Sequence, residues 1–252
     1  MKPAQAGFFV LKKRWRLERR KQELLSMLTV HHLEKSRSHR VLWLLEELGL
    51  EYEINVYERK PGKLSAPPEL RAIHPLGKSP VITDTDASGE RFALAESGAI
   101  LEWLAETHAP GVLAVQSEEP ARRNYLYWMH YPEGSLMLPF IISLVMRQMR
   151  KARMPFFARP IAKRLTGQVL TRYLQPQIDT HLGVIEAHLT DNEWLAAGRF
   201  TAADVQLCYA LVASSSRTGW SEKYPAIGAY LSRLQARPAY QRAIEKGGPV
   251  QL

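Results

Sequence analysis

The chain has 252 residues, of which 46% are apolar and 23% charged, with a net charge of +9. That is enough chain for two ordinary domains and a sizeable core, and no apolar run approaches the roughly 18–20 residues of a bilayer-crossing helix. One cysteine, Cys208, excludes an internal disulfide or a thiolate metal cluster and fits a reducing, cytoplasmic setting.

Residues 1–26 hold eight Lys and Arg against two acids, which is most of the net charge. The basic balance therefore belongs to this extension, and nucleic-acid binding by the remainder is not expected. Its apolar stretch precedes its basic cluster, the reverse of a secretory signal. The simplest reading is a start upstream of a natural first residue at Met27, with the extension mobile or loosely docked. A transit peptide or a surface-binding amphipathic helix are the alternatives.

Residues 28–32 form a first strand. Its neighbours His31 and His32 point to opposite faces, and none of the eight histidines has metal-ligand spacing, so no metal site is expected. Residues 38–50 form a helix. Val41, Leu44, Leu45 and Leu48 follow the helical period, Arg40 and Glu47 lie off it, and Gly49 stops it. Residues 52–57 alternate as a second strand with Tyr52, Ile54 and Val56 on one face. A loop with Pro61, Gly62, Pro67 and Pro68 leads to a helical turn near 69–73. Residues 80–83 and 91–94 are strands joined by a turn rich in Asp, Ser and Gly, and 97–107 form a helix. This βαβαββα order suits a four-stranded mixed sheet flanked by helices.

Strand signals stop after a patternless stretch at 108–117. Helices are expected at 120–150, 165–189, 202–215, 225–236 and after Pro238. The domains are therefore 27–108, a linker at 109–118, and an all-α bundle at 119–252. Thr201 and Asp204 are spaced as a capping box. From Gly134 to Ile178 there are eight Lys and Arg and no acid. This is a solvated face, a basic rim for anionic ligands, or contact with an acidic surface.

Three segments carry chemistry. Ser36 and Ser38 lie between a strand and a helix, where free backbone amides favour an anion. A hydroxyl there can donate to a bound thiolate and lower the thiol pKa, or it can simply cap the helix. Lys78-Ser79-Pro80-Val81 opens a strand, and Glu96-Ser97 opens a helix. With residues 200–204, and in this order and spacing, these segments resemble the glutathione transferase family over essentially all of 27–252. The likeness is greatest to bacterial and fungal members with a Ser-Arg-Ser segment after the first strand.

The resemblance implies a thioredoxin-like first domain and an all-helical second one. It also implies a homodimer, glutathione as co-substrate, and an apolar electrophile or peroxide as the second substrate. By resemblance Ser36, with Ser38 as runner-up, is the thiolate donor. Pro80 follows a cis bond, and Ser79 offers its backbone to the ligand as an added strand. Lys78 meets the glycine carboxylate, Ser97 and the helix amides hold the γ-glutamyl carboxylate, and Glu96 takes its ammonium. The alternative from another class is a non-catalytic glutathione-binding carrier.

Overall fold

The computed structural model describes residues 28–59, 66–86, 88–218 and 222–250, the side chains of 216–218 excepted. The basic extension and the Pro61–Gly62 part of the predicted loop lie outside the described residues.

The first half forms one four-stranded sheet in the order β2-β1-β3-β4. Strand β1 (Thr29–Leu33) runs parallel to β2 (Glu53–Tyr57) and antiparallel to β3 (Val81–Thr85), which pairs antiparallel with β4 (Arg91–Ala95). All five residues of β1 are buried, as a central strand requires. Edge strand β2 is different. Val56, expected beside Ile54 on one face, is 58% exposed, because an edge strand has less to bury against.

Helix α1 (His39–Leu48) connects β1 to β2 and ends at Gly49, whose φ of 64° and N–H bond to the Leu45 carbonyl make the expected stop. Val41, Leu42, Leu44 and Leu45 are all fully buried, each worth about 1.5–3 kcal/mol. Arg40 is buried with them at 1% exposure. The expectation that it lies off the buried face is corrected here. The helix is enclosed on every side, so it has no solvent face at that level. Helix α2 (Ser97–His108) follows β4 and packs against α1.

The second half is helical: α3 (Arg122–Tyr131), α4 (Met137–Lys151), α5 (Ala158–Gln168), α6 (Gln175–Asp191), α7 (Ala202–Thr218), α8 (Pro225–Gln235) and α9 (Pro238–Gly247). π-helical turns at Pro132–Leu136 and Val169–Leu174 join α3 to α4 and α5 to α6. Pro132 has no N–H to continue the ladder, and the wider turn accommodates it inside the single helix expected at 120–150. The next helix starts at Ala158, earlier than the expected 165, because Pro160 falls in its first turn, where a missing N–H costs nothing.

Helix α7 shows one half of the expected capping box, since the Asp204 amide donates to the Thr201 carbonyl and not to its hydroxyl. Thr201 donates its N–H (2.7 Å) and hydroxyl (3.0 Å) to Asp204, which also accepts from Leu195 N–H and the Tyr230 hydroxyl. Burial still pushes that carboxyl up to about 6. The last helix returns to the first domain. Tyr240 of α9 sits edge-on to Trp43, Arg237 binds Glu47 at 2.6 Å, and Arg242 and Lys246 bind Glu46 at 2.7 and 2.5 Å.

Candidate functional site

The start of β3 supplies the first wall of a cleft. The Ser79–Pro80 peptide is cis. The ladder with β1 begins at Val81, so Ser79 stands outside it. The Ser79 side chain is tied to β1, donating to the His31 carbonyl (2.8 Å) and accepting from Leu33 N–H (3.3 Å). Lys78, Ser79, Pro80, Glu96 and Ser97, all marked in the sequence, line one cleft of about 200 Å³ together with Arg37 and Glu133.

The β4–α2 junction supplies the second wall. Glu96 has φ 72° and ψ 117°, a conformation that costs a non-glycine residue about 1–3 kcal/mol and concentrates at ligand sites. Ser97 follows as the first residue of a 12-residue helix, so unpaired amides and a positive helix end lie beside it. Arg40 Nη1 donates to Ser97 Oγ at 3.0 Å. A guanidinium only donates, so Ser97 accepts there and keeps its own proton for a ligand.

Arg40 also donates to Glu133 at 2.5 Å, and Arg37 Nε donates to the same carboxylate at 2.9 Å. Burial raises the Glu133 pKa, but the two guanidiniums outweigh it and hold it below the usual carboxylate range. The Arg40 guanidinium lies 4.9 Å over the Tyr209 ring, while its Nε and Nη2 are buried with no partner among the described residues. Sequence reading missed Arg37, Arg40 and Glu133. The signal for Arg40 was its place beside five consecutive apolar residues at 41–45, which no helix can bury on one face.

The two candidate serines lie side by side and are not equivalent. Ser36 keeps 7% of its surface open and Ser38 none. Their hydroxyls are 2.7 Å apart, Ser38 N–H donates to Ser36 Oγ (3.3 Å), and Ser38 Oγ lies 2.8 Å from His32 Nδ1 and 3.3 Å from the Leu33 carbonyl. Ser38 occupies the N-cap position of α1 without making a side-chain cap bond. Neither serine is among the cleft-lining residues; Ser36 immediately precedes Arg37, which is.

A wider hollow of about 510 Å³ lies between the end of α6 and α8. Three carboxylates line it: Glu186 is spent on the Ala226 and Ile227 amides at 2.8 and 2.9 Å, where it caps α8, Glu193 faces Arg233 at 3.8 Å, and Asp191 is the third. Among the described residues no His, Cys, Asp or Glu cluster is suited to a metal, and no described helix is long and apolar enough to cross a membrane.

Comparison with known proteins identifies the family. Residues 36–107 match the description "Glutathione S-transferase, N-terminal domain" and 145–238 match "Glutathione S-transferase, C-terminal domain". Glutathione S-transferase 3 of Schizosaccharomyces pombe is 36% identical over 220 residues, 87% of this chain and 88% of its own. A crystal structure of a glutathione S-transferase from Actinobacillus pleuropneumoniae superposes with a TM-score of 0.69 at 32% identity, covering 88% of this chain and 93% of its own. A Pseudomonas fluorescens family member, solved with two glutathione bound, superposes with a TM-score of 0.70 at 26% identity, over 87% and 93% of the two chains. With a thioredoxin-like domain, a helical domain and these relatives, the chain belongs to the glutathione S-transferase family and is a glutathione transferase enzyme.

Proposed function

We propose that the cleft binds glutathione and that the Ser36 hydroxyl stabilises its thiolate for attack on an apolar electrophile or a peroxide. The observation that carries this reading is the convergence of Lys78, Ser79, Pro80, Glu96 and Ser97 on one cleft, with Ser36 on the adjoining loop. Together these groups match successive parts of the tripeptide. Ser97 and the α2 amides suit the γ-glutamyl carboxylate, Glu96 its ammonium, the Ser79 backbone the peptide, and Lys78 the terminal carboxylate. The Pseudomonas fluorescens relative, which binds glutathione, supports the same ligand.

Between the serines, Ser36 is the better donor because Ser38 is fully enclosed and bonded to His32. With no cysteine in this loop, the ligand's sulfur is the nucleophile. Ser36→Ala should lower kcat/KM toward an aryl halide about 10–100-fold, as loss of one charge-assisted hydrogen bond does. Glutathione binding with no turnover by wild type, on aryl halides and on hydroperoxides, would favour the carrier reading instead.

The homodimer belongs to this proposal as well. Leu138, Ile141, Val145 and Met149, spaced along α4, are 37–59% exposed, an apolar face suited to a second copy. Light scattering on the full chain tests it: a monomer at micromolar concentration removes it. Exposed Arg147, Lys151 and Arg159 on the same hairpin suit a rim for anionic conjugates.

A further inference from the structure

The serine pair is the end of a longer buried chain. His32 Nε2 lies 3.0 Å from the Gly247 carbonyl at the end of α9. A carbonyl only accepts, so Nε2 carries the ring proton. Burial, then the neighbouring His39 ring, push the His32 pKa down to about 4, against smaller upward pulls from the Gly247 bond and Glu34. The ring is therefore neutral near pH 7 and its Nδ1 is a bare acceptor.

That fixes the next two protons. Ser38 Oγ faces Nδ1 at 2.8 Å and the Leu33 carbonyl at 3.3 Å, both acceptors only, so the single Ser38 proton goes to one of them. The 2.7 Å contact between the serines must then use the proton of Ser36. The order is Ser36 to Ser38 to His32 to Gly247. The anchor is built for close approach: a Cβ on residue 247 would lie 2.5 Å from Leu42 Cδ1 and 3.1 Å from His32 Cε1.

We propose that Ser38, fixed as an acceptor by His32, is a positioning residue that holds the Ser36 proton inward and thereby sets the acidity of the bound glutathione thiol. The inference rests on Ser36 being the thiolate donor. A thiol can donate S–H to the open lone pair of Ser36 at once. A thiolate must draw the Ser36 proton out of its bond to Ser38, so the two acceptors compete for one proton.

The test follows thiolate absorbance of bound glutathione against pH in the full chain. Ser38→Ala should lower the thiol pKa by about half to one unit, the worth of one competing hydrogen bond. Its affinity for S-methylglutathione, which has no ionisable thiol, should stay within about twofold. Ser36→Ala should raise the thiol pKa. If Ser36→Ala raises it but Ser38→Ala leaves it unchanged or raises it, the positioning role is overturned and the Ser36 assignment stands. If Ser36→Ala does not move it, the Ser36 assignment itself fails. A measurement on wild type guards against a misfolded variant: ring ¹⁵N spectra between pH 6 and 8 should show His32 protonated on Nε2, and an Nδ1–H ring would overturn the proposed order.

Discussion

Two clusters of opposite charge join the halves of this molecule, and they divide burial in opposite ways. At the cleft the cation is enclosed: Arg40 has 0% side-chain exposure, while its partner Glu133 has 32%. Beneath α9 the acid is enclosed: Glu46 has 8%, while Arg242 and Lys246 have 48% and 47%. The first leaves two guanidinium nitrogens without a hydrogen-bond partner among the described residues, and the second satisfies its carboxylate three times, with Tyr52 as the third donor at 2.6 Å. A latch can afford exposed, replaceable cations. The cleft instead keeps one enclosed charge in place beside Ser97.

The comparison breaks most visibly at Glu133. Among the described residues, Glu133→Ala leaves the Arg40 charge with Ser97 as its one hydrogen-bond acceptor, and an uncompensated buried charge costs about 3 kcal/mol or more. Urea unfolding should show that loss, and KM for glutathione should rise because Arg37 and Arg40 lose their common anchor. A loss below about 1 kcal/mol would mean that Arg40 does not depend on Glu133, and the contrast between the clusters would disappear.

Elements that specify themselves locally were legible in the sequence, and pairings across the chain were not. Glu96-Ser97 stands at a strand-to-helix turn, Thr201 and Asp204 form a cap within four residues, and Gly49 ends a helix, so each is readable in a short window. The pairings of Arg40 were not legible, because its partners lie 57 and 93 residues away and only the fold brings them together. The ranking of Ser36 over Ser38 rested on resemblance. The contact that distinguishes them runs through His32 to a carbonyl 215 residues downstream. The π turns were also hidden, since a wider turn keeps the helical apolar pattern on both sides.

The Glu46 cluster should respond more gently, and to pH. Burial raises its pKa, but hydrogen bonds from Lys246, Tyr52 and Arg242 outweigh this and hold it at about 2, below the ordinary 4.5. A depressed folded-state value means that the contribution is complete above about pH 4.5 and is lost as pH falls toward 2. Glu46→Gln should cost about 1–2 kcal/mol at pH 7, reduced by the exposure of both cations. The wild-type and variant stability curves should converge as pH falls from 4.5 toward 2. Curves that stay parallel through that window would show that the carboxylate charge does not hold α9.

The smallest effect should come from one cation of that latch. Lys246→Met keeps an apolar stem against the Tyr52 ring, where the ammonium now sits 4.8 Å from the centroid, and removes one donor to Glu46. Arg242 and Tyr52 remain on the carboxylate, so about 0.5 kcal/mol or less should be lost in thermal unfolding at pH 7. Redundancy is the reason: the enclosed group has three donors, and any one can leave. Arg40 has no such substitute, because the enclosed group is itself the single charge. If Lys246→Met cost as much as Glu46→Gln, the α9 contact would depend on one pair as the cleft does, and burial of the acid rather than of the cation would make no difference.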